Sequence, residues 1–409
     1  MKCIFLGGLY PKEIQVELFQ YSHGKLSFAA NLHQWNMIEG LESNLKCPVD
    51  LISAYFLPTY PKYEYKKVKS FSWRHCNGAN DIGLGFINIR GIRQFDQARQ
   101  FYACLKRWLV KNYDEKRKIV FIYTLSYPMM SAVYKLKKRG FSFHACLIVP
   151  DIPSLLAHYG ERKDLYSKLT IAYNLKHLDF YLSAADSFVL LTEQMKDMLK
   201  VGRKPYCVID GLYSVKNKFE DAIENSGKTM VYTGSLHREY GICELLSAFC
   251  CEESEDWKLI IAGSGNAEDE VKKAEKEQSN IVFLGTLQMP EILKLQREAT
   301  ILVNPRPVDG IDAKYSFPSK TMEYMLSGRP VFMNLLPGMD PIYADYLLTP
   351  ERFQTDSFKK ALPMVMKMEQ KELNMIGKKA QMYVLDHKAS NVQMKKVVDM
   401  IDVSLHREK

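Results

Sequence analysis

No stretch of this 409-residue chain approaches the length of an apolar membrane span, so any contact with a bilayer is expected to be peripheral. The opening, MKCIFLGGLYP, has one lysine and a short apolar run before Gly7. That is too short for a secretory leader and reads as a first strand. Cysteine motifs are missing too. The nine cysteines are odd in number, scattered, and contain no C-x-x-C pair, only Cys250 and Cys251 being adjacent. This argues for reduced thiols in a cytoplasmic protein and against a disulfide framework or a zinc site. No G-x-G-x-x-G follows the first apolar run, which excludes the fingerprint of nicotinamide oxidoreductases. Internal repeats and low-complexity tracts are absent. No zinc-finger, recognition-helix or RNP-like pattern points to nucleic acid.

What is present is an ordinary globular composition, 47% apolar and 25% charged, long enough for two domains. The net charge of +9 is unevenly spread: residues 51–150 hold 18 Lys/Arg against 5 Asp/Glu, whereas residues 201–409 hold 28 against 30. A basic first half suits an anionic partner, such as a membrane surface or a lipid diphosphate. The bland alternative is a set of solvated helix faces, as where Lys135, Lys137, Lys138 and Arg139 precede Gly140.

Strand-like and helix-like segments alternate in both halves, the mark of doubly wound parallel α/β sheets. Strands are expected at Cys3–Leu6, Val49–Tyr55, Ile119–Tyr123, Ala145–Val149 and Ser187–Leu191, with helices over Ile92–Tyr113, Met129–Arg139, Ser167–Ala184 and Glu193–Lys200. After a polar stretch at Tyr213–Lys228 the rhythm restarts, with strands at Thr229–Tyr232, Lys258–Ala262, Ile281–Leu284, Ile301–Asn304 and Pro330–Asn334. Residues Gln370–Leu405 read as helical.

The densest signal is Tyr315–Val331, YSFPSKTMEYMLSGRPV. A polar loop ends in a Pro/Ser step and feeds a helix that stops at Gly328. Met322, Met325 and Leu326 mark its buried face, while Ser319, Glu323 and Ser327 share another. Free N–H groups and the positive end of the helix dipole meet Lys320 there, an arrangement suited to an anion such as a diphosphate. The plain alternative is a surface helix with a Lys320–Glu323 pair.

The wording of this run resembles the donor-binding segment of retaining, family-four glycosyltransferases of the GT-B fold, especially the bacterial surface-polysaccharide branch. The resemblance implies an α/β protein with two Rossmann-like doubly wound domains facing across a cleft. These are an acceptor domain over 1–212, a nucleotide-sugar domain over 213–385, and a final helix over 386–409 that packs back on the first domain. It assigns Glu323 to the ribose hydroxyls, and the loop of Tyr315, Ser316, Phe317, Pro318, Ser319 and Lys320 to the diphosphate and sugar. Gly234, Ser235 and the cation Arg238 lie after the first strand of the second domain. Gly263, Ser264 and Leu284 face the nucleotide. In the first domain, Gly7, Gly8, Tyr123 and Thr124 line the cleft, and Asp151 orients the acceptor or acts as a base. The family pattern has a glutamate where this chain has Tyr315, so either Tyr315 or Ser316 takes over its contact with the donor sugar or the sugar selectivity differs.

The resemblance also implies transfer from a nucleoside-diphosphate sugar, UDP-linked by preference, to a glycan or lipid-diphosphate-linked acceptor. No cofactor and no metal are expected, and no D-x-D pair is present. The location implied is cytoplasmic, with peripheral contact at the inner face of the membrane. A catalytically silent scaffold and a sugar-nucleotide epimerase stay open as alternatives. His144 is expected to be structural.

Overall fold

The computed structural model describes residues 1–151, 176–216, 222–223, 227–309 and 313–407. The helix expected over Ser167–Ala184 therefore lies partly outside the described residues; its visible part is Leu178–Ala184. By its internal contacts the chain divides into two compact units, one of Met1–Val215 with Ser390–Lys409, the other of Lys216–Ala389. Both are α/β, built on parallel sheets with helices packed on them.

The strands of the first unit are β1 (Lys2–Gly7), β2 (Val49–Ser53), β3 (Lys67–Val68), β4 (Phe71–Trp73), β5 (Asp81–Gly83), β6 (Phe86–Ile87), β7 (Lys118–Tyr123), β8 (His144–Val149), β9 (Ser187–Leu190) and β10 (Tyr206–Val208). Eight of them form one sheet in the order β10-β9-β8-β7-β1-β2-β5-β4, with β3 and β6 paired separately. β1, β7 and β8 are nearly continuous apolar runs, as strands covered on both faces must be. All pairs in the large sheet are parallel except β4–β5, an antiparallel edge. From β1 the chain proceeds one way to β2 and the other way to β7, so the point where strand order reverses lies between β1 and β7.

Two helices of this unit have no counterpart in the expectations, Gln15–Tyr21 and Phe28–Leu45. The second carries no single apolar stripe, because Met37, Ile38 and Leu41 join the core beneath β1 and β2 while Gly40 lies against another helix. That partner is Ser390–Arg407, whose Met394, Val397 and Ile401 enter the same core. A methyl on Gly40 would come within 2.2 Å of the Ser390 carbonyl oxygen, so the two helices can cross only at a glycine. The helical segment expected over Gln370–Leu405 is in fact two helices, Gln370–His387 and Ser390–Arg407, interrupted where one compact unit gives way to the other.

The second unit holds β11 (Thr229–Ser235), β12 (Lys258–Ser264), β13 (Ile281–Phe283), β14 (Ile301–Asn304) and β15 (Val331–Met333) in the order β13-β12-β11-β14-β15, all parallel. Its reversal point falls between β11 and β14. In open sheets of this kind the crevice outside the carboxyl ends of the strands at such a point is where ligands bind.

Candidate active site

In the second unit the carboxyl ends of β11 and β12 run side by side through Gly234 and Gly263, which are register partners. Their φ values are +155° and +148°, and a methyl on Gly263 would lie 1.7 Å from the Gly234 carbonyl oxygen. Only glycine fits, and the strand ends stay bare of side chains where a ligand would approach. Ser235 and Ser264, one residue on, are exposed. The Gly263 N–H is donated to Gly285 O at 2.7 Å, and Leu284 beside it is exposed.

The Ser319–Leu326 helix is fastened to the same place. Fully buried Tyr324 accepts the Thr233 N–H at 2.7 Å and donates its hydroxyl to Thr233 O at 2.9 Å, closing the end of β11. Burial pushes the Tyr324 phenol well above its usual range, so it stays a neutral donor. The helix starts after Pro318 with no side-chain cap and no acidic residue in its first turn. Lys320 Nζ lies 2.8 Å from Glu323 Oε1, and a methyl on Gly234 would come within 3.9 Å of Lys320 Cε. One turn of helix thus presents a cation, a carboxylate and free N–H groups to the bare ends of β11 and β12. Ser316 Oγ is buried without a hydrogen-bond partner, Tyr315 ends a short 3₁₀ turn, and the buried ring of Phe317 packs 5.2 Å from that of Tyr343.

Two residues absent from the sequence expectations belong to this group. Gln296 is completely buried on the Met289–Glu298 helix, donates to Thr233 Oγ1 at 2.8 Å and also to Glu323 Oε1, and keeps its own Oε1 unpartnered. Arg306 follows β14 and lies over the Tyr240 ring at 5.0 Å. A fully buried glutamine leaves no signature in apolar periodicity, and an arginine after a strand looks like any surface arginine. Arg238, by contrast, is more than half exposed and paired with Glu270 through both Nε and Nη2. An ion pair this exposed is weak, so a phosphate can take the guanidinium over.

In the first unit the reversal point is built from β1 and β7. Gly7 and Gly8, expected to line the cleft, lie close against side chains of the same unit. A methyl on Gly7 would meet Gln34 Oε1 at 2.4 Å, one on Gly8 would meet the Phe56 ring at 2.1 Å, and the Gly8 N–H is donated to Gln34 Oε1 at 2.9 Å. These glycines admit neighbouring side chains. Beyond them, Tyr123 hydroxyl and His33 Nδ1 are hydrogen-bonded at 3.0 Å, and Thr124 adopts a left-handed φ of +74°. A threonine in that region is strained by about 1–3 kcal/mol, a cost that recurs where backbone is shaped for function. Burial drives His33 down to about 4, so it is a neutral imidazole. Asp151 has its Oδ1 buried and unpartnered, and burial raises its carboxyl above the usual range; its charge also disfavours ionisation of Tyr123. Ile152 and Pro153, which follow it, lie outside the described residues. His144 is buried and hydrogen-bonded to Ser187 Oγ at 2.8 Å between β8 and β9.

Residues 227–368, which carry β11 to β15 and the Ser319–Leu326 helix, match the family described as Glycosyl transferases group 1. Across the whole chain the fold is similar to sucrose-phosphate synthase from Thermosynechococcus elongatus, with 13% identity, full coverage of both chains and a TM-score of 0.67. It is also similar to the UDP-forming α,α-trehalose-phosphate synthase from Burkholderia xenovorans in complex with glucose-6-phosphate, at 10% identity, covering 98% of this chain and 100% of that one with a TM-score of 0.61. A third is the lipopolysaccharide outer core galactosyltransferase WaaB, at 14% identity, covering 98% and 99% with a TM-score of 0.57. No curated protein matches the chain in sequence. At such identities the likeness speaks for the fold, which is GT-B. With a group 1 domain in its second unit, the chain is a glycosyltransferase of GT-B type.

Proposed function

We propose that this glycosyltransferase moves a hexose or hexosamine from a nucleoside-diphosphate sugar, UDP-linked by preference, to a glycan or lipid-diphosphate-linked acceptor in surface-polysaccharide biosynthesis, with retention and without a metal. The observation that carries the reading is the uncapped Ser319–Leu326 helix, whose Lys320 and Glu323 face the bare ends of β11 and β12. Departure of a diphosphate develops negative charge, and a fixed ammonium with helix N–H groups stabilises it where it forms. Glu323, held by Gln296, is the acceptor for two ribose hydroxyls. Ser316, with its hydroxyl unpartnered, and Tyr315 take the sugar contact that the family pattern gives to a glutamate. Arg238 closes on the diphosphate after leaving Glu270. Asp151 orients the acceptor hydroxyl; front-face attack with retention needs no strong base, because a donor phosphate oxygen takes the proton.

Peripheral association with anionic membrane belongs to the same proposal. Its support is the surplus of Lys and Arg in residues 51–150 together with exposed apolar side chains of the first unit, Val16, Phe19, Phe28 and Leu32, with Phe19 and Phe28 rings 5.6 Å apart. Among the described residues no helix is long and apolar enough to cross a membrane. The test is a thermal-shift screen against UDP, GDP, ADP, TDP and CMP with Lys320→Ala and Glu323→Ala alongside, followed by nucleotide-release assays on a lipid-diphosphate-linked sugar. At about a hundred times its Kd one nucleoside diphosphate is expected to add roughly 2.7 kcal/mol. A shift with none of them, from folded protein, defeats the proposal.

A further inference from the structure

The antiparallel edge of the first sheet is closed by the loop between β4 and β5, and Trp73 and Asp81 are register partners across it. That loop carries His75 and Cys76 consecutively, and the Phe28–Leu45 helix brings Glu42 against them. His75 Nε2 is 3.0 Å and Cys76 Sγ 3.4 Å from Glu42 Oε1, and the three ligand-type atoms all lie within 4.8 Å of one another. Among the described residues no other group of histidine, cysteine and acidic side chains converges in this way. Behind the imidazole, fully buried Asp81 accepts both His75 Nδ1–H, at 2.8 Å, and the His75 backbone N–H, at 2.7 Å. Asp81 Oδ1 has no partner at all.

From this geometry we infer that Glu42 Oε1, His75 Nε2 and Cys76 Sγ form a divalent-metal site in the first unit, best suited to Zn²⁺, with Asp81 orienting the histidine. Glu42 Oε1 also accepts the Val49 N–H at 2.9 Å, so one carboxylate oxygen is held by backbone while an imidazole and a thiol converge on it. Donor atoms held at about 2.0–2.3 Å around one tetrahedral ion lie roughly 3.3–3.7 Å from each other, close to the 3.0 and 3.4 Å that separate His75 Nε2 and Cys76 Sγ from Glu42 Oε1. One imidazole, one thiolate and one carboxylate are a borderline-soft set, and their two negative charges neutralise a divalent cation. The carboxylate on Nδ1–H fixes the tautomer that leaves Nε2 free to bind, the usual second layer of a histidine–zinc contact. His75 is 11% and Glu42 22% exposed, so the fourth position opens to water.

The site would tie the edge of the sheet to the helix that also holds Gln34 against Gly8 and His33 against Tyr123. Spacing in the sequence could not reveal it, since Glu42 and His75 come from a helix and a loop far apart in the chain.

Co²⁺ is the probe. Full-length protein, stripped with a chelator, is titrated with Co²⁺ and then with Zn²⁺. The expected result is about one equivalent of Co²⁺ giving a thiolate-to-cobalt charge-transfer band and the visible bands of a four-coordinate ion, both removed by about one equivalent of Zn²⁺. Cys76→Ser is expected to lose the charge-transfer band while keeping its circular dichroism spectrum, and the exposed-thiol control Cys243→Ser to keep the band. Asp81→Asn, acting through His75, is expected to keep the band with affinity weakened about 10- to 100-fold. Absence of the band in folded wild-type protein, or its survival in Cys76→Ser, overturns the site and leaves His75 as a cation held between two carboxylates.

Discussion

Lys320→Met separates what the donor helix does for a diphosphate from what it does for a nucleoside. The substitution keeps most of the apolar stem of the side chain and removes its charged end. The Lys320–Glu323 pair is 2.8 Å apart with the two side chains 31% and 23% exposed, so its loss costs the fold at most about 1 kcal/mol. Bound ligand is a different matter. A hydrogen bond to a charged partner contributes about 1.5–3 kcal/mol, which converts to a loss of about 10- to 150-fold in affinity for UDP. Uridine has no phosphate for the ammonium to meet, so its affinity is expected to change less than about threefold. Glu323→Ala removes the ribose acceptor and is expected to weaken both ligands alike. Isothermal titration calorimetry of both ligands on all three proteins reads these differences directly. If Lys320→Met weakened uridine as much as UDP, the lysine would be supporting the loop and not a phosphate. If it changed neither, the helix end would not be the anion site.

Three further outcomes follow from the packing. Tyr324→Phe leaves the Thr233 N–H and C=O buried without partners and is expected to destabilise the second unit by about 2–4 kcal/mol, read from urea denaturation. Gly263→Ala must displace the Gly234 carbonyl and adopt a φ closed to L-residues, with an expected loss above about 2 kcal/mol and loss of nucleotide binding; a variant as stable as wild type would show that the strand ends yield freely. His33 is held neutral down to about pH 4, whereas the unfolded chain takes up this proton near pH 6.5. Its contribution is therefore fully present above pH 6.5 and shrinks as pH falls toward 4, by roughly 3 kcal/mol in all. His33→Gln is expected to flatten that part of the stability profile, and equal slopes for the two proteins would contradict a neutral imidazole at this position.

Much of the strand placement follows from apolar runs that any reader of the chain can find: Cys3–Leu6, Ile119–Tyr123 and Ile301–Asn304 sit within or coincide with β1, β7 and β14. The Ser319 helix is legible for the same reason, its Pro/Ser start and Gly328 stop being local chemistry. What failed to show depends on tertiary partners. The Phe28–Leu45 helix mixes polar and apolar residues because two different elements cover it. β4 and β5 are three residues each, too short for alternation to register. Gln296 reads as polar surface until Thr233 and Glu323 take its amide N–H groups, and nothing in the sequence shows that Gln34 and Phe56 pack against Gly7 and Gly8. The long C-terminal helix breaks at Lys388 and Ala389 for no reason visible in composition.

The Ser390–Arg407 helix has a consequence for how the protein is made. Its Met394, Val397 and Ile401 complete a core whose other members, from Cys3 to Leu212, emerge from the ribosome first. The intervening second unit, Lys216–Ala389, contains all of its own strands and can close while synthesis continues. Co-translational folding usually favours the N-terminal domain. Here the order is inverted: the first part of the chain to be translated is the last to be finished, and until residues 390–407 arrive its apolar groove beside Gly40 stays open to chaperones and to misassociation.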